Sequence, residues 1–377
     1  MDALHEISPA LQQARLERRL FARFWQTASR FWFGRWAKVA WGLTVILMLV
    51  VLAQLLVQLL LNLWNRNFFD AVERRDASAL WTQAKLFVPL ALASIALAAI
   101  SVWGRMTAQR KWRESVTRQV IEYWLAEDRF RRLDQLANGS ENPEYRISED
   151  VRIATDAPID LVLAFLASVL TAIVFLSVLW SVGGSLTFDA FGRSRTIPGY
   201  LVIGVIVYST LFSGAMIIVG RRLTAIIERK NQAEAELRAA ADRLRQDGGG
   251  TITRGNETAE RRTLWLAVHT VLLRWRGLSW QLVRTTVVTH ANFILAPVLA
   301  LLLCTPKYLA GTMSLGELTQ SAAAFVTVQS AFNWLVDNYG RLADWRSSVN
   351  RVATLLIALD AVAALAPIEE VPHSTGD

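Results

Sequence analysis

The chain has 377 residues, 53% of them hydrophobic and 19% charged, and a mean hydropathy of +0.30, whereas soluble domains run about 45–50% apolar and about 25% charged. Its formal charge is +8 and its pI about 10.0, yet the basic residues fall between apolar runs, which speaks for positive-inside bias and against nucleic acid as partner. One cysteine, Cys304, excludes an internal disulfide framework and a cysteine-based metal site.

Residues 1–38 read as a basic, aromatic cytoplasmic segment. Arg15, Arg18, Arg19, Arg23, Arg30 and Arg35 surround Trp25, Phe31, Trp32 and Trp36, which suits an amphipathic helix on the inner leaflet. The first thirty residues have no apolar h-region, so no cleavable signal is expected.

A hydrocarbon core of ~30 Å takes about 20 apolar residues in a helix. Residues 39–360 are read as a six-span domain, with spans at about 39–64, 86–103, 161–182, 200–220, 287–304 and 315–335. The fold class is therefore all-α and polytopic. In the first span Gln54, Gln58 and Asn62 recur every four residues, so one polar face looks into a bundle or cavity rather than at lipid. The run then meets "NLWNRNFFDAVERRD" (Asn62–Asp76). That charge marks the exit of the helix from the bilayer, with Trp64 anchoring at the interface and Arg66 snorkelling.

Lys and Arg crowd the segment before span one, the connector between spans two and three, and the connector between spans four and five. Both termini and both long connectors are predicted to be cytoplasmic. The connectors are themselves helical in pattern. "RMTAQRKWRESVTRQVIEYWL" sets Trp112, Val116, Val120 and Tyr123 among charges at helical period and continues span two without a break. "NGSENPEYRISEDV" supplies a turn, because Pro143 holds Asn142 out of the α region. The helix after Gly220 runs on to "DGGGTITRGN", the Gly-rich 246–256 connector, and a further helix returns to the membrane. Residues 361–377 form a short tail.

Spread along this chain are features that resemble the SbmA/BacA-type peptide transporters and their ABC-fused relatives, the membrane half of type-IV ABC exporter-like proteins. "NLWNRNFFDAVERRD" is similar to the family's element at the end of span one. Asn142-Pro143-Glu144-Tyr145-Arg146-Ile147 with Glu149-Asp150 resembles its NPxxRI-ED turn, a candidate coupling turn. "KNQAEAELR" (Lys230–Arg238), "LAPVLALLLCTPKYLAGTMSLGELTQ" and "FNWLVDNYGRLADWRSSVNRVATLLIALD" complete a likeness over about residues 30 to 360. In the ABC-fused relatives a nucleotide-binding domain follows the stretch equivalent to Ala353–Asp360. No GxxxxGK[ST] occurs in the 377 residues, so no ATPase activity is expected of them. The Gly-rich connector also departs from the family wording, which leaves open whether it couples normally.

The resemblance implies a homodimer around a cavity that moves peptides or other bulky amphipathic solutes across a bacterial inner membrane, driven by protons and using no cofactor. Proton coupling needs carboxylates in a low-dielectric cavity. Glu228, Glu234 and Glu236, beyond span four, are candidates; the plain alternative is a solvated face paired with Arg229, Lys230 and Arg238. Asp337, just past span six, is a second candidate, against a role as partner of Arg341 at i+4. Glu317 opens span six, where helix N-termini favour acids. Two other readings keep the fold: the permease of an ABC transporter whose ATPase is on a separate chain or lost, and a degenerate, non-transporting membrane protein. His269 and His290 are isolated, so no metal is expected, and no nucleophile elbow or HExxH suggests an enzyme.

Overall fold

The computed structural model describes residues 2–134, 142–190, 193–247 and 254–364. In chain order the helices are α1 (Asp2–Ala28), α2 (Arg30–Phe33), α3 (Ala37–Glu73), α4 (Ala77–Leu125), α5 (Arg129–Asp134), α6 (Pro143–Tyr145) and α7 (Val151–Gly183). A hairpin of β1 (Ser185–Ala190) and β2 (Arg193–Pro198) follows, then α8 (Tyr200–Gly220), α9 (Leu223–Asp247), α10 (Arg254–Leu309), α11 (Leu315–Phe332) and α12 (Trp334–Ala364). Six helical stretches are long and apolar enough to cross a membrane: Ala37–Glu73, Ala77–Leu133, Pro143–Gly183, Tyr200–Arg245, Arg261–Leu309 and Leu315–Ala364. The all-α, six-span architecture is thus present, and each helix outruns its apolar span. The core of the Gly-rich connector (residues 248–253) and residues 365–377 of the tail lie outside the described residues.

Four details refine the sequence expectation. First, the helix of span one runs on past Trp64 to Glu73. Asn65, Arg66 and Asp70 sit on it because polar residues end an apolar run without breaking backbone hydrogen bonds, and the chain turns only at Arg75, whose φ is +55°. Asp76 then caps α4, accepting from the amides of Ser78 and Ala79. Second, the short connector after span three is a β-hairpin rather than a plain loop. Its two strands pair from Ser185↔Pro198 to Ala190↔Arg193. Gly184 (φ +57°) and Gly199 (φ +60°) close its base, the Gly199 amide donating to the Gly184 carbonyl at 2.8 Å. A Cβ at Gly199 would lie 2.4 Å from the Trp180 ring, so the position needs glycine on two counts. Third, a turn at residues 221–222 separates α8 from α9. Fourth, α11 ends at Phe332, and α12 starts two residues on.

The chain divides into two compact units, residues 1–171 with 337–377, and residues 172–336. In the first, α3 and α4 pack along their lengths. Asn62, on the polar face of α3, is buried, and the Gln54 amide donates to the Leu97 carbonyl at 3.4 Å; Gln58 is exposed. Trp64 donates to the Gln83 carbonyl at 2.9 Å and stacks on Phe68. The core of this unit joins Phe24, Ala28 and Phe31 to Trp112, Val116 and Val120 of α4, Val151 and Ala154 of α7, and Val349, Val352, Leu356 and Leu359 of α12. The inner face of the N-terminal segment is therefore committed to protein, while Trp25 and Phe33 remain exposed.

Ion pairs lock that arrangement at its edge. Arg23 donates to both oxygens of Asp360, at 2.6 and 2.9 Å, and the Tyr123 hydroxyl donates to the same carboxylate at 2.6 Å. Arg346 pairs with Glu17. Burial alone would raise the Asp360 pKa, but its bonds to Arg23 and Tyr123 hold it below the ordinary aspartate range. A depressed carboxylate stabilises the fold fully above about pH 4, its unfolded value, and loses that contribution as pH falls through the folded value. Arg23→Gln is expected to flatten the acid limb of a plot of unfolding midpoint against pH, between about pH 4 and the lower folded value, and to leave the neutral limb parallel to wild type.

The second unit is built round α11, whose Gly316, Ser321, Ala322 and Ala324 are buried. Small residues let α8 and α10 come close, as membrane helices require. Phe325 is fully buried against the Tyr208 ring at 5.9 Å. The Tyr208 hydroxyl donates to Asn292 at 2.9 Å, Gln281 donates to the Val219 carbonyl, and Lys307 to the Gly183 carbonyl at 2.7 Å. Cys304 is buried beside these groups.

Candidate functional site

The sequence-derived candidates fall in different surroundings. On α9, which continues polar beyond the apolar span, Glu228 and Glu236 are exposed, and Gln232 donates to Glu236 at 3.2 Å. Glu234 is 2.9 Å from the Lys230 ammonium, which also lies 4.9 Å from the centre of the Trp275 ring. The Lys230 bond holds the Glu234 carboxyl below its ordinary range, opposite to the upward shift a proton carrier at neutral pH requires. Glu317 completes a capping box: its amide donates to Ser314 Oγ at 3.2 Å and its carboxylate accepts from the Ser314 amide at 3.1 Å. Asp337 is exposed in the first turn of α12. Arg341 pairs not with Asp337 but with Asp160.

The candidate coupling turn holds together in space. Asn142 has left-handed φ/ψ (52°, 65°), outside the right-handed α region, with Pro143 at the first helical position. Residues Arg146–Asp150 then form a π-helical turn leading into α7, a geometry found mostly as local bulges at functional sites. Its wider winding turns Asp150 fully inward. There Arg351 of α12 donates to it through Nε at 3.0 and 2.9 Å and through Nη2 at 2.6 Å. Arg351 also donates to Ser347 at 2.6 Å and Ser348 at 2.9 Å. Glu149 accepts from Arg152 at 3.0 Å, and Arg146 reaches the Arg351 carbonyl at 3.4 Å.

Next to this pair lies a cavity of about 480 Å³ among α4, α7 and α12. Asp160 is its hub, accepting from Gln109 at 2.9 Å and Arg341 at 3.0 Å, with Arg105 at 3.6 Å. Arg152 and Asp156 line the same wall, 3.9 Å apart, and Asp344 and Arg351 face them from α12. The site therefore joins three helices by charge and leaves a polar space between them. Sequence reasoning found Asp150 and missed Arg351, Asp160 and Asp156. A usable signal existed for Arg351: it lies in the helix "VNRVATLL", whose apolar residues recur at helical period, and an arginine bordering such a stripe needs an acid.

Residues 29–309 match the family described as ABC transporter transmembrane region 2. The chain belongs to that family. Arg105, Gln109, Asp150, Asp156 and Asp160 lie within the match, whereas α1 and α12 lie outside it. Among the curated relatives of this transmembrane-region-2 chain is the inner membrane ABC transporter ATP-binding protein YddA of Escherichia coli K12, 26% identical over 349 residues, 89% of this chain and 60% of the relative. An uncharacterized ABC transporter ATP-binding protein of Haemophilus influenzae is 21% identical over 320 residues, 84% of this chain and 54% of the relative. The chloroplastic ABC transporter D family member 2 of Arabidopsis thaliana is 19% identical over 348 residues, 90% and 46% respectively. The chain thus spans between about half and 60% of these relatives' lengths. It is a multi-pass membrane protein of the ABC transmembrane class.

Proposed function

We propose that this chain is one half of a homodimeric transporter that moves peptides or other bulky amphipathic solutes across a bacterial cytoplasmic membrane, powered by ATP hydrolysis on a nucleotide-binding module. The observation that carries the reading is the family match over residues 29–309 on six apolar helices drawn out into polar extensions. The substrate class rests on the likeness to SbmA/BacA-type carriers, and the dimer on six spans forming half of a type-IV enclosure. ATP as energy source is supported by the names of the relatives, which are ATP-binding proteins.

A second reading keeps the fold and lets the proton gradient drive transport, as the SbmA/BacA likeness implies. It rests on that likeness: Glu228 and Asp337 stand exposed beyond the spans, whereas a carrier needs low-dielectric surroundings, and Glu234 and Glu317 are engaged by Lys230 and Ser314. The experiment is uptake of a labelled amphipathic peptide into vesicles holding the protein. One arm imposes a pH gradient, and the other supplies ATP with a nucleotide-binding module from a relative. Uptake in the ATP arm alone is the expected result. Uptake with the gradient alone overturns the ATP assignment, and uptake in neither arm overturns transport of this substrate class.

A further inference from the structure

In the second unit the buried polar groups are unevenly served. Tyr208, Gln281 and Lys307 all find protein acceptors. Ser209 Oγ and Gln329 Nε2 have no hydrogen-bond partner among the described residues, although Ser209 is 1% exposed and Gln329 2%. Both stand on helices long and apolar enough to cross a membrane, where lipid offers no substitute partner. Native proteins leave few buried polar groups unbonded, so two on adjoining helices call for a cause.

Three contacts fix how α8 lies on α11. A Cβ at Gly204 would sit 3.9 Å from Phe325 Cε2, and the Tyr208 and Phe325 rings are 5.9 Å apart. The Ser213 hydroxyl donates to Asn333 Oδ1, at the C-cap of α11, at 3.4 Å. Residue numbers rise together along the two helices, so they run side by side in one direction. Ser209 stands one turn before Ser213, and Gln329 stands one turn after Phe325 and one before Asn333. Positions four apart share a helix face, so Ser209 and Gln329 occupy one level on facing sides of this seam. The Ser209 hydroxyl is also not turned back onto its own helix. Thr210 donates to the Ile206 carbonyl at 2.7 Å, and Ser177 and Ser181 make similar local bonds, the usual outlet for a helical hydroxyl. Ser209 makes none.

We propose that a buried water molecule bridges Ser209 Oγ and Gln329 Nε2 between α8 and α11. The Gln329 amide donates to the water oxygen, and the water and the Ser209 hydroxyl share a second bond, which meets the two polar partners that a buried water requires at least. A cation would meet the hydrogens of the amide nitrogen, and a hydroxyl beside a neutral amide supplies no positive charge for an anion. A neutral molecule that both donates and accepts is the ligand that fits, and water is the smallest. Between the direct contacts at Phe325 and Asn333, the two helices are thus joined by an exchangeable link.

The test uses the purified full chain in nanodiscs, read by unfolding midpoint and by X-ray hydroxyl-radical footprinting, in which an ordered water labels the side chains beside it. Phe325 is 0% exposed and one turn from Gln329, so its labelling in wild type reports an internal water. Ser209→Ala and Gln329→Met are each expected to lower the midpoint by about 1–3 °C and to remove most of the Phe325 label. The double variant should fall no further than the worse single one, because both changes remove the same water. A dry seam gives the opposite sign: deleting an unsatisfied buried group stabilises, so a raised midpoint in either single variant overturns the proposal. A direct Ser209–Gln329 bond would also lower the midpoints, but it leaves Phe325 unlabelled in wild type, and that result overturns the water equally. Ser209→Ala removes a single atom, so its readout stands even where Gln329→Met disturbs packing. Neither measurement involves substrate or ATP, so failure here is distinct from failure of the transport reading.

Discussion

Arg351→Ala is expected to destabilise the protein by about 3–5 kcal/mol, the cost of leaving one partner of a buried ion pair without the other. The asymmetry of the pair decides the size. Asp150 is completely inaccessible, whereas the Arg351 side chain is 43% exposed. Removing the arginine therefore strands a carboxylate that no water reaches, with its bonds from Nε and Nη2 gone. Asp150→Asn should cost less, because an amide carbonyl still accepts from Arg351 and the remaining cation is partly solvated. The double variant Asp150→Leu/Arg351→Met should recover much of the loss, since an apolar replacement of both partners removes the desolvation penalty as well as the attraction. Chemical unfolding in mixed micelles, followed by tryptophan fluorescence, gives the cycle. If Arg351→Ala and Asp150→Asn prove equally mild, Asp150 is reached by water and the turn is looser than described.

Trp112→Ala is the second large effect, at about 3–5 kcal/mol for emptying a buried indole site. Trp112 is 2% exposed. Its ring meets Trp32 edge-on at a centroid distance of 4.7 Å, and its Nε1 donates to the Ala28 carbonyl at 3.1 Å. It is thus a central contact by which α1 and α2 are held on α4. Trp112→Phe keeps most of the ring and deletes the donor, so it should cost about 1 kcal/mol for the lost bond plus a smaller packing loss. Limited proteolysis supplies the structural readout: in Trp112→Ala the α1–α2 segment should be cut well before the spans, whereas in wild type it should resist. Equal cleavage rates would mean that the segment is held elsewhere, through Arg23–Asp360 above all.

The amino-acid sequence by itself determined the six spans, the helical extensions and the existence of the Asn142–Asp150 turn. Apolar length and 3.6-residue periodicity are local properties, and a bilayer leaves helices as the only open-chain solution for satisfying backbone groups. Trp112, Val116 and Val120 declared their shared face in the same way, four residues apart. Only the tertiary structure decided which charges meet. Asp150 and Arg351 are 201 residues apart, Arg23 and Asp360 are 337 apart, and nothing in the periodicity of one helix names its partner on another. The same distance explains why Glu234 and Glu317 looked open to proton chemistry until Lys230, Trp275 and Ser314 were seen against them. The hairpin after α7 was hidden for a different reason: its strands are short and two positive-φ glycines, Gly184 and Gly199, close its base, so backbone geometry rather than side-chain pattern makes it. The polar cavity among α4, α7 and α12 belongs wholly to the folded state, because α7 and α12 bring three arginines and three aspartates to it and α4 adds Gln109.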